Sequence, residues 1–231
     1  MVEIEKSEEI NFSKDISLLT IKPEPLSDGR GDRIYDWVRA YCIREGLKIV
    51  IDVRKTLTKE DIIAHYSGPN KLIETGKKVM ASVRVSDPSK SKMFVESGFA
   101  SLSYEELGRR VFEIELGSYP GKEARLLVIS GKDALSKMAH VRGASDPNIS
   151  AKGTIRGEFS SGMGIIDILL NNKSLDNIVH VTMTFDELKE EMKRHLGITP
   201  EQVAKSVSGN LNGEFMVRAS QYVRREGVVD G

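Results

Sequence analysis

A strand–helix–strand pattern near the start constrains the fold of this chain more than any other feature of its sequence. An apolar, β-branched run at 16–22 precedes an amphipathic helical stripe at 32–45, which is followed by alternating apolar and polar residues at 47–53. Two strands joined by a helix of this length are expected to lie parallel in one sheet, joined by a crossover.

A second pattern of the same kind follows later in the chain. A strand is predicted at 123–130, a helix at 132–142 and a last strand at 177–183, after which a capping box at Thr184 opens a helix that ends near His195. The order β-α-β, helical segment, β-α-β, helix predicts an α/β chain of the α+β sandwich type. Its plan is the ferredoxin-like βαββαβ antiparallel sheet covered by helices.

The segment between the two patterns is predicted to be helical. Thr58 begins a short helix that ends near Tyr66, and two further helices are expected near 70–82 and 103–112. The intervening sequence SDPSKSK, at 86–92, is predicted to be a solvated loop.

Composition excludes several classes of function. Acidic and basic residues balance at 34 each, so no whole-chain field attracts nucleic acid or an anionic membrane, and neither partner is expected. The single cysteine, Cys42, excludes an internal disulfide and a cysteine-based metal site. The acidic start MVEIEKSEEINFSKD has no apolar core, so no signal peptide is expected and the cytoplasm is the predicted location.

Five collinear segments make the sequence resemble the nucleoside diphosphate kinases. They are IKPE at 21–24, EGLKIV at 45–50, the His-Tyr pair at 65–66, GASDPNISAKGTIRGEF at 143–159 and NIVH at 177–180. The GTIRGEF loop is the most specific of them, whereas each four-residue match would be weak by itself. The resemblance implies a phosphotransferase that moves the γ-phosphate of a nucleoside triphosphate to a nucleoside diphosphate through a phosphohistidine, with ping-pong kinetics.

The resemblance assigns three catalytic residues. His180 is the nucleophile, and a neutral imidazole suits a group that must accept and then release a phosphoryl group. A lone histidine in an apolar strand is more often structural, and its position after GTIRGEF is what favours the catalytic interpretation. Glu191, eleven residues later, would hold the other ring nitrogen. Lys22 would provide positive charge to the transferring phosphate.

Six residues are predicted by the resemblance to bind the nucleotide. They are Lys22, Tyr66, Ser145, Arg156, Asn177 and Thr182. Mg²⁺ is expected with ATP or another nucleoside triphosphate, bridging the phosphates and keeping several waters, so no protein metal ligand is predicted. The four histidines show no metal-ligand spacing.

The sequence departs from the family pattern at two functional positions. Met183 replaces an acidic residue, and Ala139 replaces a second phosphate-binding arginine, for which Arg142, Lys137 or His140 are the possible substitutes. These changes leave open an alternative, a weakly active or inactive nucleotide-binding protein with a regulatory or interaction role. A third possibility is the same chemistry with an unusual phosphate acceptor.

Two insertions distinguish the chain from the family pattern. The predicted organisation is a flexible N-terminus at 1–14, a kinase-like domain at 15–197 with insertions near 67–118 and 160–176, and a C-terminal extension at 198–231. The apolar stretch at 165–170 in the second insertion is interpreted as a lid, as an oligomer contact or as a longer strand pair packed on the core. The aromatic that stacks on the base is not identified, with Phe112 and Tyr104 as candidates. The resemblance also implies a homo-oligomer.

Overall fold

The computed structural model describes residues 10–68, 70–173 and 178–208. Its four strands are β1 (Ile16–Ile21), β2 (Lys48–Thr56), β3 (Glu123–Ser130) and β4 (Val179–Val181). Its helices are α1 (Pro23–Ser27), α2 (Arg30–Arg44), α3 (Lys59–Tyr66), α4 (Lys71–Val85), α5 (Pro88–Glu96), α6 (Tyr104–Ser118), α7 (Ala134–Arg142), α8 (Ile155–Phe159), α9 (Ile165–Asn171), α10 (Phe185–Leu196) and α11 (Pro200–Val207).

The four strands form one sheet in the order β2-β3-β1-β4, and every neighbouring pair is antiparallel. The central strand β1 places Leu19 opposite both Leu127 of β3 and Val181 of β4. In each strand–helix–strand pattern, the two strands lie parallel to each other with one other strand between them. The predicted ferredoxin-like plan is therefore confirmed.

Both faces of the sheet are covered, which explains why β1 is apolar throughout. Leu19 and Ile21 pack with α2 and α7 on one face, and Ile16 and Leu18 pack with α10 and α11 on the other. Alternate residues of a strand point to opposite faces, so a strand buried on both sides needs a continuous apolar run.

The predicted solvated loop at 86–92 is wrong, because helix α5 begins inside it. Asp87 accepts a hydrogen bond from the backbone N–H of Ser89 at 2.8 Å, and Pro88 occupies the first helical position. An acidic N-cap followed by proline is a helix start, and the polar residues beyond it face solvent on one side of the helix.

The stretch at 165–170 is helix α9, so the prediction of a strand pair is also wrong. Its apolar side chains pack with α4, α5 and α6 in a second core, whose buried members are Val79, Phe94, Leu107, Val111, Ile165, Ile166, Ile168 and Leu169. The oligomer contact predicted at this stretch required its apolar side chains to be exposed, and they are instead packed in this core. The Lys90 ammonium of α5 also lies 2.8 Å from the Asp167 carboxylate of α9. The two predicted insertions thus contribute to one packed unit, called here the helical cap (71–118 and 165–171).

Two glycines fix the closest approach within the helical cap. A Cβ atom on Gly76 of α4 would overlap the carbonyl of Tyr104, and one on Gly108 of α6 would overlap the carbonyl of Leu72. The backbones of α4 and α6 therefore touch at two reciprocal points that no larger residue can occupy.

The residues that follow position 197 are part of the folded core. Ile198 and, from helix α11, Val203 and Ala204 pack with α10 against the sheet. At the other end, Ile10 packs partly against the same cluster. Among the described residues, no helix has both the length and the apolar character needed to cross a bilayer.

Replacing Gly76 with alanine should destabilise the protein strongly. The added methyl group meets backbone rather than a flexible side chain, so we expect the free energy of unfolding to fall by about 3 kcal/mol. The matched control is Gly117→Ala, on α6, where a Cβ atom meets nothing within 4 Å. The free energy of unfolding of the control, measured with denaturant, should equal or slightly exceed that of the unmodified protein. Equal stability of Gly76→Ala and Gly117→Ala would contradict the interlocked geometry.

Candidate active site

A cleft of about 310 Å³ lies between the β1–β4 side of the sheet, helix α3 and the helical cap. Six predicted site residues line it, namely Lys22, Tyr66, Ser145, Arg156, His180 and Glu191. They come from five separate parts of the chain, and the fold brings them to one place.

His180 and Glu191 form the best-defined contact of the cleft. The Nε2 atom of His180 lies 2.9 Å and 3.1 Å from the two carboxylate oxygens of Glu191. His180 is the middle residue of β4, and Glu191 lies on the buried side of α10, whose start is fixed by the Thr184 hydroxyl accepting the Glu187 N–H. Strand and helix are joined by a short turn, so the spacing of eleven residues leads directly to contact.

The charge of Glu191 decides which ring nitrogen of His180 carries the proton. Burial of Glu191, which is 4% exposed, acts to raise its pKa, but His180 and then His65 outweigh this and hold the pKa well below its usual range. An ionised carboxylate only accepts hydrogen bonds, so the assigned tautomer of neutral His180 carries its proton on Nε2. The lone pair of Nδ1 is then available.

His65 is a functional candidate that the sequence interpretation named only as part of a motif. Its Nδ1 atom lies 3.8 Å from Glu191, and its ring packs edge-on against that of His180 at 5.2 Å between centroids. Burial lowers the pKa of His65, with Glu191 acting in the opposite direction. His65, His180 and Glu191 each offer one ligand atom within 4.8 Å of the others, a set that spacing along the sequence did not indicate.

Glu115 of the helical cap links Lys22 to Tyr66. Its carboxylate accepts a hydrogen bond from the Tyr66 hydroxyl at 2.7 Å and lies 3.6 Å from the Lys22 ammonium, which also donates to the hydroxyl of Tyr119 at 3.4 Å. Burial and Glu115 raise the pKa of Tyr66 well above its ordinary value, so the phenol stays a hydrogen-bond donor. The sequence missed Glu115 because α6 was predicted to end near residue 112, whereas it continues to 118.

Arg156 is buried and already engaged with the backbone. Its guanidinium donates at 2.7 Å to the carbonyl of Ala144 and at 2.7 Å to the carbonyl of Val179. Burial, and then Arg142, lower its pKa to about 9, so it remains protonated at neutral pH. These bonds tie the loop that carries Ser145 to strand β4, which carries His180.

One predicted nucleotide-binding residue, Thr182, does not line the cleft. Thr182 is fully buried, and its hydroxyl accepts a hydrogen bond at 3.4 Å from the backbone N–H of Leu18 in β1. Thr182 follows directly after the end of β4 and is bound to the backbone of β1, so it does not line the cleft. Asn177 lies outside the described residues.

The structure also places the possible substitutes for the missing arginine. Arg142 lines the cleft, while Lys137 donates to the backbone carbonyl of Glu45 at 3.0 Å and His140 is exposed on α7. Neither Lys137 nor His140 lines the cleft.

Met183 lies at the mouth of the cleft, where the family pattern has an acid. The nearby carboxylate of Glu187 accepts the backbone N–H of Met183 at 2.8 Å and lies 3.9 Å from Nε2 of His180. A carboxylate is therefore present beside the nucleophile candidate, supplied by helix α10 instead of the turn.

The apolar part of the cleft consists mainly of aliphatic side chains, beside the rings of Tyr66 and Tyr119. It is lined by Leu57, Ile62, Val111, Ile165 and Ile168. Neither proposed base-stacking aromatic lines the cleft. The ring of Phe112 packs against that of Tyr66, with 5.2 Å between their centroids, and Tyr104 is exposed at the start of α6.

Comparison with known proteins identifies the family. The chain is 30% identical over 105 residues to a nucleoside diphosphate kinase of Rhodovulum sulfidophilum, an alignment that spans 45% of this chain and 67% of that protein. This chain belongs to the nucleoside diphosphate kinase family. No protein-family model matches it.

Solved structures of nucleoside diphosphate kinases have the same fold. The chain superposes on the enzyme from Pyrobaculum aerophilum with a TM-score of 0.62 at 22% identity, covering 78% of this chain and 94% of that one. For the enzyme from Encephalitozoon cuniculi the TM-score is 0.50 at 17% identity, covering 80% and 90%. This relative of the nucleoside diphosphate kinases thus keeps the family fold.

Replacing Glu115 with glutamine should weaken the folded state. The amide can still accept the Tyr66 hydroxyl, but the partly buried Lys22 loses its counter-charge, and we expect a loss of about 2 kcal/mol in the free energy of unfolding. Glu113→Gln is the control, because Glu113 lies on the same helix in an exposed pair with Arg110. Urea unfolding measures both variants, and a Glu115→Gln protein as stable as the control would contradict a structural role for this ion pair.

Proposed function

We propose that this protein catalyses transfer of the γ-phosphoryl group between nucleoside tri- and diphosphates, with Nδ1 of His180 as the transient carrier. The observation that carries the proposal is the pairing of His180 Nε2 with the buried carboxylate of Glu191 at 2.9 Å. A nucleophilic imidazole needs one nitrogen held and the other open to the substrate, and this contact supports both conditions.

In the first half-reaction, the Nδ1 lone pair attacks the γ-phosphorus of the nucleoside triphosphate. The Nδ1–P bond forms while the bond to the bridging oxygen breaks, and the nucleoside diphosphate leaves with that electron pair. The imidazole ring becomes positively charged, and the adjacent ionised Glu191 stabilises that charge. In the second half-reaction, a terminal phosphate oxygen of another diphosphate attacks the same phosphorus. The Nδ1–P bond breaks, and its electron pair returns to the ring, which restores neutral His180.

Three groups of the cleft would stabilise the negative charge on the transferring phosphoryl group. Lys22 and the protonated phenol of Tyr66 both point into the cleft beside Glu115, and a phosphate would compete with that carboxylate for them. Arg156 already donates to two carbonyls, so its proposed role is to hold the site together and to provide positive potential rather than to grip the phosphate bidentately.

The nucleotide would enter as its magnesium complex. Glu187 is the partly exposed carboxylate beside His180 and is suited to contact the waters of a hydrated Mg²⁺, which needs few direct protein ligands. The base would lie against the aliphatic wall that includes Ile62, Val111 and Ile168. An aliphatic surface contacts any base without reading its hydrogen-bonding edge, so little base selectivity is expected. Ser145 would donate its hydroxyl to a phosphate.

One observation favours the second candidate, a nucleotide-binding protein that turns over slowly. Lys22 and Tyr66 are both engaged by Glu115, so nucleotide must displace an internal carboxylate before either contacts phosphate. A regulatory or interaction role would follow from slow turnover. The predicted homo-oligomer also stays a prediction, which light scattering on the purified chain tests.

Substitution of His180 by asparagine should abolish covalent labelling by γ-labelled ATP with magnesium. The unmodified protein should form an acid-labile phosphoprotein, and added GDP should remove the label as GTP. His140→Asn is the matched control, because His140 is exposed on α7 outside the cleft, and it should behave like the unmodified protein. Glu191→Gln should slow the labelling by about 10- to 100-fold, since the ring loses its orienting charge.

The outcomes separate the candidates. Label that GDP discharges, and that only His180→Asn removes, supports the kinase. Nucleotide binding without label identifies the binding protein. Label that persists in His180→Asn would overturn the assignment of the nucleophile.

A further inference from the structure

The helical cap brings additional positive charge to the cleft. We propose that Lys78 of α4 and Arg142 at the end of α7 form a second anion-binding element, which holds the non-transferred phosphates of the nucleotide. The inference rests on the proposed function, because it concerns the polyphosphate of the same substrate.

The charge balance of the cleft points to these two residues. Five lysine and arginine side chains line it, and three of them already have partners. Lys22 pairs with Glu115, and Lys71 lies 3.9 Å from the carboxylate of Glu187. Arg156 donates to two backbone carbonyls. The other two are Lys78 and Arg142, neither of which lies in a salt bridge with a described residue. Arg142 donates only to the neighbouring carbonyl of Gly143, at 3.2 Å, within the described structure.

The spacing of α4 directs three polar side chains at the cleft. Lys71, Thr75 and Lys78 lie at positions i, i+4 and i+7, which share one face of a helix, and all three line the cleft. Val79, the residue next to Lys78 on α4, is fully buried in the core of the helical cap. The cleft-facing lysines therefore belong to the amphipathic pattern of the inserted helix.

The position of α4 is fixed independently of any ligand. Gly76 lies against the backbone of α6, and Ser82 donates a hydrogen bond to Asp146 in the loop that also carries Ser145. Lys78 lies on α4 between Gly76 and Ser82, within about one helical turn of each. Its side chain is consequently presented to the cleft from a preorganised backbone, which limits the entropy lost on binding.

The electrostatics of the cleft agree with an anion site. Burial, and then the charge of Lys71, lower the pKa of Lys78, with Arg142 acting in the same direction and Glu74 opposing. Burial likewise lowers the pKa of Arg142, while Glu187 opposes. Neighbouring cations repel each other without a ligand, so a polyphosphate between them relieves repulsion as well as forming hydrogen bonds.

Removing either cation should weaken nucleotide binding without impairing the chemistry at His180. For Lys78→Met and for Arg142→Met we expect the KM for MgATP to rise about tenfold or more, because hydrogen bonds between charged groups are lost. The value of kcat at saturation should change less than threefold. Lys77→Met is the control, because Lys77 is the neighbouring lysine on α4 and is exposed like Lys78 but does not line the cleft, and the KM of this variant should be unchanged.

A small phosphoryl donor separates binding from chemistry. Phosphoramidate carries a transferable phosphoryl group but has neither a nucleoside nor a polyphosphate. Its rate of labelling His180 should be the same in Lys78→Met, Lys77→Met and the unmodified protein. Arg142→Lys should recover part of the affinity lost in Arg142→Met, and thermal melting of each variant checks that it is folded.

Two results would overturn the proposal. One is a KM for MgATP in Lys78→Met equal to that in Lys77→Met. The other is a parallel loss of phosphoramidate labelling, which would place the residue in the chemical step. If the unmodified protein shows no labelling at His180, the proposed function fails, and calorimetric titration with MgATP then tests the anion site directly. Weaker binding by Lys78→Met than by Lys77→Met would support the site, and equal binding would refute it.

Discussion

The contact between the carboxylate of Glu191 and Nε2 of His180 is the interaction around which the cleft is arranged. It needs strand β4 and helix α10 in a fixed relation, and both are supplied by the sheet core beneath them. Strand β4 has only three residues, so its position depends on pairing with β1 and on the hydrogen bond from Arg156 to the carbonyl of Val179. A short edge strand with these restraints can hold a reactive side chain in one orientation.

The helical cap is part of the site rather than an appendage to it. Through Glu115 it contacts Lys22 and Tyr66, two residues of the family pattern, and through α4 and α9 it forms a wall of the cleft. The interlocked pair Gly76 and Gly108 makes α4 and α6 one rigid support. Two insertions that are separate in sequence therefore act together, because each buries the apolar face of the other.

Much of this was accessible from sequence because the relevant signals are local. Period-two and helical patterns identified the four strands, and the resemblance to the nucleoside diphosphate kinases paired Glu191 with His180, a contact that the structure contains. The predicted loop at 86–92 failed because its polar composition outweighed the start signal of Asp87 and Pro88. Thr182 was carried over by resemblance, whereas the structure binds its hydroxyl and backbone N–H to the backbone of Leu18 in β1.

Other features depend on long-range packing that no local pattern contains. Glu115 contacts residues 49 and 93 positions away in sequence, and its role follows only from where α6 packs. The engagement of Arg156 with two backbone carbonyls likewise depends on the loop that it ties to β4. The sequence predicted only a helix near 70–82 and gave its lysines no role, because only the packing of the helical cap turns them toward the cleft.

The ring position of the phosphoryl group tests the central claim most directly. The protein, labelled with ¹⁵N at histidine, would be phosphorylated with MgATP and observed by correlated ³¹P and ¹⁵N magnetic resonance under mildly alkaline conditions. Phosphorus bonded to Nδ1 of His180, with Nε2 protonated, is the result that the geometry predicts. Phosphorus bonded to Nε2, or to a different residue, would contradict the account.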